Sequence, residues 1–97
     1  MIEGYKNILQ SVCKVTFVDP EEITSSNSRR DVINARILLC YHTYSLVPDY
    51  NIVSRSTGIP YKQVWRYISA FSDKLRNDPI FKLLNDRYTD DKSSSHV

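Results

Sequence analysis

Apolar residues recur at three- and four-residue steps through most of the chain, and no stretch alternates every second residue, so the pattern predicts helices without a sheet. Tyr5, Ile8, Leu9, Val12 and Val15 form one stripe, with Lys6, Asn7, Gln10 and Lys14 around the remaining circumference, which makes an amphipathic first helix ending near Phe17. Asp19-Pro20-Glu21-Glu22 then supplies a capping side chain, a proline at the first helical position and two acids where the helix dipole favours negative charge. A short helical turn is expected there. The polar loop Thr24-Ser25-Ser26-Asn27-Ser28 follows, with Ser28 three residues before Asp31 in an approximate capping box.

From Arg29 to about Ser45 the apolar residues cover nearly every face, through Val32, Ile33, Ala35, Ile37, Leu38, Leu39, Cys40, Tyr41 and Tyr44. Such a helix is central and enclosed by its neighbours. Pro48 ends it or lies just beyond, and Asp49 can cap a short helix from near Tyr50 that Gly58 stops. Pro60 opens the next helix, which carries Val64, Tyr67, Ile68, Phe71 and Leu75 on one side. Asp78-Pro79 repeats the cap-plus-proline start, and Ile80, Phe81, Leu83, Leu84 and Tyr88 give a last apolar face. The expected fold is all-α, a bundle of five to six helices over residues 1–89, followed by a disordered polar tail over 90–97.

Length and composition narrow the classes of function. With 97 residues the chain makes one domain with one core, and two glycines with four prolines argue against a turn-rich β-protein. The formal charge is +2, unevenly spread: residues 29–76 hold eight Lys/Arg against three acids, while both flanks are net acidic. A basic middle suits a polyanion partner. Cys13 and Cys40 fall among apolar helix positions, as small hydrophobes do, which fits a reducing cytoplasm. No stretch reaches the roughly 20 apolar residues of a membrane span, and the first residues lack the layout of a signal peptide. Cys40 and His42, two apart on a helix, point in different directions and lack the further ligands a zinc site needs. No catalytic constellation, cofactor, metal, membrane or small-molecule substrate is expected.

The informative stretch runs from Tyr50 to Ser69. Two short helices that meet steeply need a small residue at their approach, a glycine able to take positive φ and apolar anchors facing the core. Ser54, Gly58, and Val53 with Ile59 and Val64 meet these needs in order. Tyr61, Lys62, Trp65 and Arg66 then fall on the outward side of the second helix, with Gln63 at its margin. Arg and Lys can donate to guanine edges, Gln can pair with adenine, and an aromatic ring can pack on a thymine methyl. Arg55 and Ser56 on the first helix can hold phosphates. A helix-turn-helix that reads double-stranded DNA is the expected function. The alternative is a protein-interaction module on the same scaffold, exposing Tyr61, Trp65 and Tyr67 to a protein partner or a second copy.

Gly58-Ile59-Pro60-Tyr61-Lys62-Gln63 followed by Val64-Trp65-Arg66 resembles the helix-turn-helix of lac-repressor-type regulators over about twenty residues. A longer stretch, Ile8 to about Tyr88, resembles the C-terminal DNA-binding domain of the bacterial replication initiator DnaA. It does so through the first helix, the Phe17-to-Ser25 turn, Ser28-Arg29-Arg30, the Ala35-Arg36 opening of a long helix, the Ile52-to-Gly58 helix and a next helix entered through Val64. That resemblance implies a Trp-repressor-like helix-turn-helix, a basic loop placing Arg29 and Arg30 on the backbone or minor groove, and Arg36 at the family's Ala-Arg step, where it too is expected to contact phosphate or the minor groove. Ile59-Pro60-Tyr61-Lys62-Gln63-Val64 replaces the family's Arg-Asp-His-Thr-Thr-Val, so the initiator-box sequence is not implied. A stand-alone relative acting in replication or transcription control is the implication.

Overall fold

The computed structural model describes residues 4–94. Six helices follow one another, α1 (Tyr5–Thr16), α2 (Pro20–Ile23), α3 (Arg30–Leu46), α4 (Tyr50–Thr57), α5 (Tyr61–Asn77) and α6 (Pro79–Ser94), with no strand among the described residues. The fold is all-α. None of these helices is long and apolar enough to cross a membrane.

Helix α3 is the hub. It packs against α1, α2, α4 and α5, while α6 closes the bundle across α1 and α5. Its residues Val32, Ala35, Leu38, Leu39 and Cys40 are wholly buried, which is why its sequence shows no polar face. Val12 of α1, Val53 of α4 and Val64 of α5 are buried in the same core, which Phe81 of α6 joins edge-on to Phe71 of α5. Burial pushes the Cys40 thiol up to about 12, so it behaves as a packing group. Aromatic rings join the helices: Tyr41 stacks on Phe71 with centroids 3.6 Å apart, and His42 stacks on Tyr88 at 4.1 Å.

The helix starts follow local chemistry, with one difference from expectation. Asp19 forms a reciprocal capping box with Glu22 at α2, Asp49 accepts from Asn51 N and Ile52 N at α4, and Asp78 accepts from Ile80 N and Phe81 N at α6. At α3, however, Ser28 does not cap. Arg29 is the N-cap residue and its side chain makes no capping bond, Asn27 Oδ1 accepts from Arg29 N at 3.0 Å and Asp31 Oδ1 accepts from Val32 N at 3.0 Å. The nearer carboxylate and amide take the orphan donors before a hydroxyl does.

Residues 90–94 correct the expected tail, because they continue α6 instead of leaving the fold. Asp91 accepts hydrogen bonds from Ser11 Oγ and Lys14 Nζ on α1, each at 2.8 Å. Two charge-assisted bonds anchor a turn that has no apolar stripe of its own. Residues 95–97 of that tail lie outside the described residues.

Candidate nucleic-acid interface

The site is organised by the corner between α4 and α5. Gly58 ends α4 with φ 76°, a conformation that a side chain rarely adopts, and a Cβ there would lie 3.0 Å from Thr24 Cγ2. Both restrictions demand glycine. Ser54 Oγ donates to Ile59 O at 2.6 Å, and Thr57 Oγ1 accepts from Ile59 N at 3.2 Å, so the turn is bonded on both sides. Val53, Ile59 and Val64 are buried beneath it. Pro60 then supplies the N-cap backbone of α5, its carbonyl accepting from Gln63 N and Val64 N.

Helix α5 turns about 100° per residue, so burial of Val64 and Phe71 puts Lys62 and Arg66 on the opposite side. Both are exposed, and among the described residues neither has an ion pair or a side-chain hydrogen bond. Trp65 is 53% exposed and Tyr61 47% exposed on the adjoining strip. Gln63 is exposed on the other margin. Tyr61 is held edge-on to Tyr50 at 6.0 Å, and Tyr50 stacks on Tyr44 at 4.8 Å, which fixes the aromatic flank to α3. Tyr67 differs, being half-buried against the core, so the aromatic surface narrows to Tyr61 and Trp65.

The electrostatics of this end are uniform. The first turn of α5 contains no acid and has no side-chain cap, so its N-terminal dipole is uncompensated, in contrast to α2 with Glu21 and Glu22. Arg55 is exposed on α4 and Ser56 is half-buried beside it. Neither bonds another described side chain.

The expected basic loop is arranged differently. Arg29 Nη2 lies 2.6 Å from Glu22 and its Nε 3.2 Å from Asp31, so its charge is largely neutralised within the chain. Arg30 is exposed at the start of α3 but lines a cleft with Ile80, Leu84 and Arg87. Arg36 is a correction: it is 6% exposed and cannot meet phosphate. Its Nε donates to Ile23 O at 2.8 Å, and its Nη2 to Ser25 O at 2.7 Å and Glu22 O at 3.2 Å. The guanidinium gathers three carbonyls at and just beyond the end of α2, a demand of a short helix that no positional pattern reveals. Tyr44 and Tyr50, which steady the aromatic flank, were not among the sequence candidates, since their contact crosses three elements.

Comparison of the chain with protein-family models, with characterised proteins and with solved structures finds no match.

Proposed function

We propose that the protein binds double-stranded DNA in the cytoplasm, laying the first two turns of α5 in the major groove as the second helix of a helix-turn-helix. The observation that carries this reading is the pair Lys62 and Arg66, exposed on one face, without an ion pair or side-chain hydrogen bond among the described residues, and flanked by Trp65 and Tyr61. Lys62, Gln63 and Arg66 read base edges, Tyr61 and Trp65 pack on sugar or thymine methyl groups, and Arg55 and Ser56 hold phosphates across the backbone. Helix α5 also offers its uncompensated positive end to that backbone. Arg36 is left out, as is Arg29 with its two internal carboxylate partners and Arg30 at a different cleft. The resemblance to the DnaA C-terminal domain supports a role in replication or transcription control.

The test is selection from a random duplex pool followed by gel-shift titration. One recovered motif is expected. Arg66→Ala should relax the preference at one position at a cost of roughly 1–3 kcal/mol, while Arg55→Ala should weaken all sequences alike. Recovery of no motif, with both variants binding as the parent does, overturns the reading.

A further inference from the structure

Where α1 ends and α3 and α6 begin, a cleft of about 310 Å³ opens on the surface. Val15 and Phe17 line it from the end of α1, Arg30 from α3, and Ile80, Leu84 and Arg87 from α6. The three α6 residues are spaced i, i+4, i+7 and share one helix face. Neither α4 nor α5 contributes a lining residue.

Phe17 is the unusual member. It is 86% exposed, and its backbone lies in the left-handed region at φ 58° and ψ 33°, the one non-glycine residue with positive φ among those described. Glycine or asparagine normally takes this position after a helix. An aromatic here adds backbone strain and gains no burial within its own chain. Residues held in such sparsely populated conformations cluster at ligand clamps and binding sites. Ile80, 57% exposed, stands on the same cleft, so two large apolar side chains face water together.

The charges around the cleft give the occupant's sign. Arg30 and Arg87 have no ion pair or side-chain hydrogen bond among the described residues. Asp31, the acid at the cleft, is engaged by Arg29 at 3.2 Å and by Val32 N at 3.0 Å. Two uncompensated guanidiniums therefore border an apolar floor.

We infer that this cleft docks an acidic amphipathic helix of a partner protein. Apolar side chains of that helix rest on Phe17, Ile80 and Leu84, and its carboxylates pair with Arg30 and Arg87. A small molecule seated in the cleft would leave the projecting Phe17 ring in water, whereas a helix laid across it covers the ring. A second copy meeting through the same face would oppose guanidiniums of like charge. The inference uses none of the residues proposed to contact DNA.

The experiment screens the full chain against a display library of 16-residue helical peptides with randomised positions. Enriched peptides should combine an apolar i, i+4, i+7 stripe with an excess of Asp and Glu. Their affinity should fall at least tenfold for Arg87→Glu and for Phe17→Gly. Glycine favours the left-handed backbone at position 17, so Phe17→Gly should keep or raise the thermal midpoint, which separates lost binding from lost folding. The inference is overturned by enrichment without an acidic bias, by no enrichment, or by peptides that bind both variants as the parent. It is equally overturned if sedimentation reveals a dimer that Phe17→Gly dissolves, since the occupant is then a second copy.

Discussion

His42 projects from α3 into the seam between α5 and α6, stacked on Tyr88, edge-on to Phe71, and with Nε2 2.9 Å from Asn85 Oδ1. Desolvation holds its pKa below the ordinary 6.5; the Asn85 hydrogen bond opposes that shift and the positive charge of Lys92 adds to it. The folded state therefore keeps the ring neutral, and the unfolded chain binds a proton more readily. Its contribution to stability is complete above about pH 6.5 and is lost as pH falls below that value towards the lower folded pKa. Urea unfolding at pH 7.5 and 5.5 should give a lower midpoint at 5.5, with a slope no steeper than about 1.4 kcal/mol per pH unit, the limit for one proton. His42→Gln should flatten that dependence; an equal pH response in both proteins would remove His42 as its source. Asp78 and Asp91, whose carboxyls are depressed by hydrogen bonds to backbone N–H and to Lys14 respectively, lose their contributions only at more acidic pH. Residue roles of this kind were the least legible feature of the sequence. Arg36 reads as one more cation of a basic segment, because charge is visible in a sequence and a set of carbonyl acceptors 11 to 14 residues away is not.

At the level of elements, apolar periodicity located α1 and α3, and local punctuation marked α4 and α5. Asp49 and Gly58 bracket α4, and Pro60 starts α5 with its fixed φ. The final turn of α6 has no such local mark. Asp90-Asp91-Lys92-Ser93-Ser94 is polar and reads as tail, yet Asp91 meets Ser11 and Lys14 about 80 positions away in the chain. Only a contact across the bundle orders it. A chain ending at Thr89 should therefore unfold several degrees below the full-length protein in a thermal melt, and Asp91→Asn should reproduce part of the loss. Loss of the bonds to α1 also exposes the apolar stripe of α1 beside them, so protection of α1 amides in hydrogen exchange should fall in both proteins. A truncated chain with an unchanged midpoint and unchanged exchange would return residues 90–94 to the status of a passive tail.

Across the whole molecule, the charge excess that first suggested a polyanion partner is much smaller than its count of cations. Of the eight Lys/Arg between residues 29 and 76, Arg29, Lys74 and Arg76 are ion-paired, Arg36 is buried and Arg30 lines the cleft beside α6. Arg55, Lys62 and Arg66 are left, all within α4 and α5. If these three carry the attraction to DNA, each displaces a counterion whether it lies on the backbone, as Arg55 does, or in the groove between the phosphates, as Lys62 and Arg66 do, so affinity should fall with salt along a log–log slope of about −3, at about −0.9 for each phosphate charge offset. The slope should become shallower by about one for Arg55→Ala and again for Lys62→Ala, whereas Arg29→Ala should leave it in place because that charge is already balanced. Fluorescence anisotropy with a labelled duplex between roughly 50 and 200 mM salt measures each value. A slope near zero would leave an aromatic protein surface at Tyr61 and Trp65 as the better account of α5. A slope much steeper than −3 would mean that the basic loop opens its internal ion pairs on DNA, making Arg29 a phosphate contact only in the complex.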